Sequence, residues 1–170
     1  MKRIGIAVIV VSVLLCQLVF AGTIDLIGRA GLYSPPGGSG QSYAIYGVAA
    51  EQEIAPHLYL RGLVETSTYS VAGNSYSYTP VTLDLIYAHS ISLLNVYGGA
   101  GVSYNTTTGG GSTSQTSGGE LVAGVSTNLM GLLFAGVEGR YIIPDLSNTS
   151  RGASAVNCYI GGDISQRIHF

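Results

Sequence analysis

Ten of the sixteen charged residues of this chain fall in five pairs at even spacing, and this pattern constrains the fold more than any other feature of the sequence. Alternate residues of a β-strand point to the same face, so both charges of each pair would lie on one face of a strand. The five pairs are Asp25 and Arg29, Glu51 and Glu53, Arg61 and Glu65, Glu138 and Arg140, and Asp163 and Arg167. The chain is therefore predicted to consist of strands with one polar and one apolar face.

Apolar residues recur at every second position on the opposite face. The segment Val81, Leu83, Leu85 and Tyr87 shows this alternation clearly. Helical periodicity is weak and glycine is scattered throughout, which indicates an all-β fold. Eight strands are predicted, at residues 23–34, 42–53, 57–70, 76–88, 93–104, 119–129, 131–143 and 154–170.

The composition excludes an ordinary soluble surface. Only 9% of the 170 residues are charged and 46% are hydrophobic, whereas a typical soluble domain is about 25% charged. The abundance of Tyr, Val, Ile and Leu excludes a disordered chain. The net charge is −2 and no basic patch is present, so no nucleic-acid partner is expected.

The first residues have the pattern of a secretory signal peptide. Lys2 and Arg3 precede an apolar run from Ile4 to Phe20, and Ala21 ends a suitable cleavage site. We therefore expect residues 1–21 to be removed and residues 22–170 to form one domain. A permanent single-span anchor is the alternative, since the run is just long enough to cross a bilayer.

The two cysteines predict neither a disulfide nor a metal site. Leu14 and Leu15 before Cys16 lack the small side chains of a lipoprotein signal, so Cys16 is expected to leave with the signal peptide. Cys158 is then the only cysteine of the mature chain, which rules out an intramolecular disulfide and makes metal binding through sulfur unexpected. No cofactor is predicted.

Strand alternation alone does not show which face points outward. A soluble lipocalin-like barrel also alternates, with its apolar face inside and its charges in water. The face that carries the charges is rich in glycine, which suits a narrow interior better than a solvent surface. Those glycines are Gly31, Gly47, Gly99, Gly101, Gly136 and Gly161. This composition favours a barrel with an apolar exterior, and a soluble barrel around an apolar ligand is the alternative.

Two further observations favour a barrel that spans a membrane. The predicted connections alternate between short ones (54–56, 89–92 and near Met130) and long ones (35–41, 71–75, 105–118 and 144–153), as in outer-membrane barrels. Tyrosines lie near the long connections, as expected for an aromatic belt at a membrane interface. They are Tyr33, Tyr43, Tyr69, Tyr76, Tyr78, Tyr104 and Tyr141.

With these features the chain resembles the small eight-stranded outer-membrane β-barrels of Gram-negative bacteria, of the OmpX and OmpA transmembrane-domain type. The resemblance covers residues 22–170, and its most specific element is the last strand, where Ile164, Ile168 and Phe170 alternate with polar residues. In that family such an ending is the signal read by the barrel-assembly machinery. The resemblance implies a monomeric, eight-stranded antiparallel up-and-down barrel in the outer membrane, with membrane lipids, periplasmic chaperones and the assembly machinery as partners.

The lumen of such a barrel is expected to be plugged. An eight-stranded barrel is only just wide enough for its own side chains, and buried charges persist only when they are paired. Glu53 lies next to a short turn and is expected to be solvated. The predicted lumen charges are Arg29, Arg61, Arg140 and Arg167, together with Asp25, Glu51, Glu65, Asp84, Glu120, Glu138 and Asp163. The excess of acidic residues leaves a small or gated ion channel open as an alternative.

A lipid A-modifying enzyme is a further alternative, because some outer-membrane barrels of this size use a His with a Ser and an acid near the outer leaflet. His57 and His89 fall at or beside predicted periplasmic turns, and His169 is next to the C-terminus. None of them lies at the predicted external rim. We therefore expect no catalytic residue and a protein that is not an enzyme.

The external loops are expected to carry a structural or surface-interaction role, such as that of an adhesin or receptor. The longest, residues 105–118, is polar, uncharged and of low complexity, so it is predicted to be flexible. In the last loop, Asp145 and Arg151 are expected to pair. Cys158 falls on the apolar, lipid-facing side of its strand.

Overall fold

The computed structural model describes residues 24–36, 40–71, 73–130, 132–149 and 152–163, and within them eight antiparallel strands close into one barrel. Each strand pairs with its neighbours in the chain, and β1 also pairs with β8. The predicted all-β, eight-stranded up-and-down barrel is confirmed. The strands are β1 (Ile24–Ser34), β2 (Tyr43–Ala55), β3 (Leu58–Val71), β4 (Asn74–Ile91), β5 (Leu94–Gly109), β6 (Ser112–Met130), β7 (Leu133–Ile143) and β8 (Ala153–Asp163).

The two ends of the barrel differ in their connections. At one, the turn end, tight turns join β2 to β3, β4 to β5 and β6 to β7, and Asp25 lies opposite Asp163. His57 and Ser92 adopt positive φ values of 68° and 58° in two of these turns. At the other, the loop end, the longest connections run from β1 to β2 and from β7 to β8.

The prediction of a flexible loop over residues 105–118 is wrong. Strands β5 and β6 pair continuously up to Gly109 and Ser112, and only Gly110 and Gly111 form the turn. Both glycines have positive φ, of 58° and 80°, a conformation that a tight hairpin turn requires and that glycine adopts without strain. The threonines on either side favour strands, so this polar segment extends the barrel wall beyond the loop end. The predicted 71–75 loop is likewise a tight turn, since Val71 pairs with Asn74.

Side chains alternate between the lumen and the exterior along every strand. In β8 the side chains are buried and exposed in turn from Ala153 to Gly161. Large apolar side chains cover the exterior; Leu85, Leu121 and Ile160, for example, are 48%, 58% and 54% exposed. Cys158 is on this outer face. The barrel thus places its apolar surface outside.

Among the described residues, the structure contains no helix with the length and apolar character needed to cross a membrane.

The lumen contains two apolar layers. The first lies toward the turn end and consists of Ile27, Ala49, Leu63 and Tyr159, with Tyr97 and Phe134 packed against it. The second lies toward the loop end and consists of Tyr33, Ile45, Tyr78, Ile142, Ala153 and Ala155, with Tyr69 packed against it. These layers fill the barrel above and below its centre.

The prediction that seven tyrosines form an external belt is wrong for five of them. Tyr33 and Tyr78 are 1% and 2% exposed inside the barrel. Tyr33 shares a strand face with Arg29, and Tyr78 shares one with Asp84, so strand alternation directs both inward. Tyr43, Tyr69 and Tyr76 have the same inward parity and pack together around Tyr69. The remaining two, Tyr104 and Tyr141, face outward and are 40% and 49% exposed.

The lumen-facing glycines make room for larger side chains from neighbouring strands. At each of the six glycines predicted to line the interior, an added Cβ would overlap neighbouring atoms. At Gly136 it would meet the ring of Tyr159 and the backbone oxygen of Val125. Gly139 on the same strand faces outward, and a Cβ there would meet nothing within 4 Å.

We predict that Gly136→Ala lowers the free energy of unfolding by about 1–3 kcal/mol, because the interior cannot take the extra methyl group without moving a ring or a strand. Gly139→Ala is the matched control and is expected to be neutral or slightly stabilising, since glycine is a poor strand residue. Urea unfolding in lipid vesicles, followed by tyrosine fluorescence, measures both. Equal effects at the two positions would contradict the packing described.

Candidate functional site

Seven charged side chains occupy the centre of the lumen between the two apolar layers. They come from five strands and meet inside the barrel because each lies on the inward face of its strand. Each residue is at most 5% exposed. This central charge network consists of Arg29 from β1, Arg61 and Glu65 from β3, Asp84 from β4, Glu120 from β6, and Glu138 and Arg140 from β7.

Glu138 is the centre of one half of the network. Its Oε2 accepts a hydrogen bond from Nη1 of Arg61 at 2.7 Å, and its Oε1 accepts one from Nη2 of Arg29. The hydroxyl of Tyr97 donates to the same Oε2 at 2.8 Å. Arg61 also donates from Nε and Nη2 to Oδ2 of Asp84, at 3.1 and 3.0 Å. One carboxylate therefore ties β1, β3, β5 and β7 together.

Arg140 is the centre of the other half. Its Nη2 and Nε donate to the two carboxylate oxygens of Glu120, at 2.5 and 3.2 Å, in the two-pronged geometry that arginine favours. Its Nη1 donates to Glu65. Nε of Arg29 lies 3.4 Å from Oε1 of Glu65, and this contact joins the two halves. The network is continuous across the barrel, with four carboxylates and three arginines.

The other predicted lumen charges are not in this network. Asp25 and Glu51 line a cavity of about 170 Å³ at the turn end, together with Tyr59 and Tyr97. Asp163 is half-buried opposite Asp25 on the neighbouring strand. Glu53 is exposed and accepts a hydrogen bond from the backbone N–H of His57 at 3.0 Å. The remaining predicted residues, Arg151, Ile164, Arg167, Ile168 and Phe170, lie outside the described part of the chain.

The sequence did not single out Tyr97 or Asn105 as lumen residues. Tyr97 donates to the network, and Asn105, which is 1% exposed, accepts from the hydroxyl of Tyr78 at 2.9 Å. Both lie an even number of positions from the lumen-facing Gly99 and Gly101, so strand alternation alone predicts that their side chains point into the lumen. Asn105 was instead assigned to the predicted loop.

The loop end holds an aromatic cluster above the charges. Tyr33 stacks on Tyr78 with ring centres 4.9 Å apart, and Tyr69 stacks on Tyr76 at 5.6 Å. In the adjoining β7–β8 loop, the backbone N–H and the hydroxyl of Ser147 donate to Oδ1 of Asp145, at 2.9 and 2.7 Å. These hydrogen bonds lower the pKa of the partly exposed Asp145 carboxyl below its ordinary value, so it is ionised at neutral pH.

The described histidines do not lie where a lipid A-modifying enzyme would need them, which is the loop end of the barrel. His57 and His89 are exposed at the turn end, with ring centres 5.9 Å apart. Ser90 donates to Asn95 at 2.7 Å. No group of three or more metal-ligating side chains is present within the ranges that the structure describes.

Comparisons with known proteins support the fold. No protein-family model and no curated protein matches the sequence. Among solved structures, the barrel is similar to Neisserial surface protein A, with a TM-score of 0.72 and 15% identity over 85% of this chain and 98% of that one. It is also similar to the attachment invasion locus protein Ail of Yersinia pestis, with a TM-score of 0.53 and 14% identity over 85% and 99% of the two chains.

The fold is thus that of the small eight-stranded outer-membrane β-barrels. The barrel is also similar to the outer-membrane enzyme PagL, with a TM-score of 0.52 and 12% identity over 82% of this chain and 99% of that one. Enzymes therefore also occur with this fold. The fold is compatible with both enzymatic and non-enzymatic functions, and the side chains of this chain determine its function.

We predict that Glu138→Gln lowers the free energy of unfolding by about 3–5 kcal/mol, because it leaves the buried Arg29 and Arg61 without their shared counter-charge. Glu53→Gln removes an exposed carboxylate at the turn end and is expected to change stability by less than about 0.5 kcal/mol. Urea unfolding in lipid vesicles checks both variants. Comparably small effects would show that the central charge network does not hold the barrel together.

Proposed function

We propose that the protein is an integral barrel of a bacterial outer membrane, with a plugged lumen and a surface-interaction role at its loop end. The observation that carries the proposal is the central charge network, which crosses the lumen while apolar side chains cover the outside. A soluble barrel would have the opposite polarity.

The outer surface supports the membrane location. Apolar side chains project outward from all eight strands, and Leu26, Leu83, Val137 and Val156 are 50%, 36%, 49% and 62% exposed. All charged residues of the central network are on the inner face. Transmembrane barrels alternate in this way, with apolar residues toward lipid and polar residues toward the lumen.

The packing of the interior supports a plug. The network is held by six ion pairs with N–O distances of at most 3.4 Å, and an apolar layer lies on each side of it. An ion crossing the barrel would have to separate these pairs and pass both layers. Because breaking a buried ion pair is costly, the closed state is strongly favoured.

A small or gated ion channel is the second candidate. Two observations favour it: the network has one more carboxylate than arginines, and Asp25 and Glu51 line the cavity at the turn end. Both would attract a cation to the lumen. The continuous pairing across the barrel centre favours the plug.

The loop end supports the surface role. There the β5–β6 hairpin and the β7–β8 loop meet, with backbone N–H of Leu146 donating to the carbonyl of Ser117 at 2.9 Å. This ordered surface is available for recognition on the outside of the cell. Ail, whose name describes attachment and invasion, has the same fold. No described constellation of side chains favours an enzyme.

The proposed partners follow from the membrane location. The apolar exterior contacts outer-membrane lipids, and the periplasmic chaperones and the barrel-assembly machinery act on the chain during biogenesis. Ile164, Ile168 and Phe170 are the proposed assembly signal. The protein is proposed to act as a monomer.

Fractionation of cells followed by planar-bilayer recording tests the proposal. We expect the protein in the outer-membrane fraction, with a gel mobility that shifts on boiling, and no steady large conductance from the folded form. The heat-unfolded protein is the control for leakage that does not depend on the barrel. A soluble protein whose gel mobility does not change on boiling would contradict the apolar exterior. A steady conductance that changes with substitution of Arg61 or Arg140 would contradict the plug.

A further inference from the structure

The loop end contains a cavity of about 280 Å³ that lies outside the central charge network. Tyr33, Tyr69 and Tyr78 are among its lining residues, and Tyr69 is the one of the three that is not fully buried. Tyr33 and Tyr78 stack on each other and are 1% and 2% exposed, so they support the cavity and leave Tyr69 as the ring with surface available to a ligand. The volume is just below the range of about 300–1,000 Å³ for small-molecule sites, which suits a single compact ligand.

The other walls present hydroxyl groups. Thr107 and Ser114 face each other across β5 and β6, and both line the cavity. Neither hydroxyl has a hydrogen-bond partner among the residues that the structure describes. Each is therefore able to donate to a ligand and to accept from one.

The cavity lining also includes one carboxylate. Asp145 lines the cavity, and Ser147 fixes its orientation through two hydrogen bonds to Oδ1. An ionised carboxylate accepts strong hydrogen bonds from hydroxyl groups. No Lys or Arg of the described residues lines the cavity, which disfavours a phosphate or sulfate group.

From this combination we infer that the cavity binds one ring of a neutral sugar. A pyranose ring has an apolar C–H face, which packs on the ring of Tyr69, and a rim of hydroxyls, which bond to Thr107, Ser114 and Asp145. An apolar ligand would leave those three groups without partners. A quaternary ammonium ion would contact the ring of Tyr69 and the carboxylate but not the two hydroxyls, so it fits the cavity lining less well.

This inference rests on the proposed surface role, because the cavity opens to the outside only if the loop end faces away from the cell. The sugar comes either from solution or from the end of a surface glycan. Both sources present the same ring, and the experiment separates them.

Saturation-transfer NMR on the full chain, folded in a detergent without a sugar headgroup, tests the inference. The probes are the methyl glycosides of glucose, galactose, mannose and N-acetylglucosamine, with tetramethylammonium as the competing ligand class. We expect saturation of the C–H protons of at least one glycoside, with a Kd in the millimolar range for so small a ligand.

Two variants and one matched control locate the binding. Thr107→Val removes one wall hydroxyl and is expected to weaken binding about fivefold to tenfold, and Tyr69→Ala is expected to weaken it at least as much. Thr106→Val makes the same change on the outward face of the same strand and is expected to leave binding unchanged. Retention of the mobility shift on boiling confirms that each variant is folded.

The outcomes separate this inference from the proposed function. Absence of saturation with all four glycosides, or binding that Thr107→Val and Thr106→Val affect equally, overturns the sugar site even when the barrel is closed and membrane-bound. Stronger binding of tetramethylammonium than of any glycoside also overturns it. A conducting lumen or a soluble protein overturns the proposed function instead.

If a glycoside binds, a second arm identifies its source. Cells that display the protein are added to beads that carry the bound sugar on a long spacer, with Tyr69→Ala cells as the control. Adhesion that free glycoside inhibits supports the end of a surface glycan as the ligand. Binding of the free glycoside without adhesion supports a soluble sugar, and either result supports the sugar site.

Discussion

The narrowness of an eight-stranded barrel is the constraint on which the rest of this structure depends. The interior has room for little more than the side chains that point into it. Charges placed there have to find partners across the lumen, since an unpaired buried charge is strongly destabilising. Glu138 shows the result, because one carboxylate accepts hydrogen bonds from Arg29, Arg61 and Tyr97.

The same constraint explains the glycines and the aromatic layers. A Cβ at Gly101 would overlap the carboxylate of Asp84, and a Cβ at Gly47 would overlap the side chain of Glu65. Glycine at these positions allows the charged groups to approach the neighbouring strand. Tyrosines then fill the wider spaces above and below, where Tyr33 stacks on Tyr78 and Tyr159 packs near Tyr97 and Phe134.

Strand alternation made much of the fold predictable from the sequence. The parity of Arg29, Arg61 and Arg140 was enough to place all three in the lumen. Their partners were not predictable, because contacts across a barrel depend on the stagger between strands. Arg61 lies beside Asp84 in register and also reaches Glu138, which is 77 positions away in the chain.

Composition and strand alternation predict different structures at two places, and the structure follows alternation at both. The position of Tyr33 and Tyr78 near loops predicts an external belt, although their strand parity directs them inward. The polar, repetitive composition of residues 105–118 predicts a loop. Threonine-rich strands around a Gly110–Gly111 turn are equally consistent with that composition, and backbone pairing in the barrel wall favours them.

The central claim is that the barrel is apolar outside and charged inside, and contacts with lipid chains test it most directly. Nuclear Overhauser effects between acyl-chain protons and leucine or isoleucine methyl groups are measured on the protein folded in lipid bilayer discs. The structure predicts strong effects for the outward Leu85 and Leu121, and none for the inward Leu63 and Ile86, which are 1% and 2% exposed. Effects at Leu63 and Ile86 without effects at Leu85 and Leu121 would contradict it.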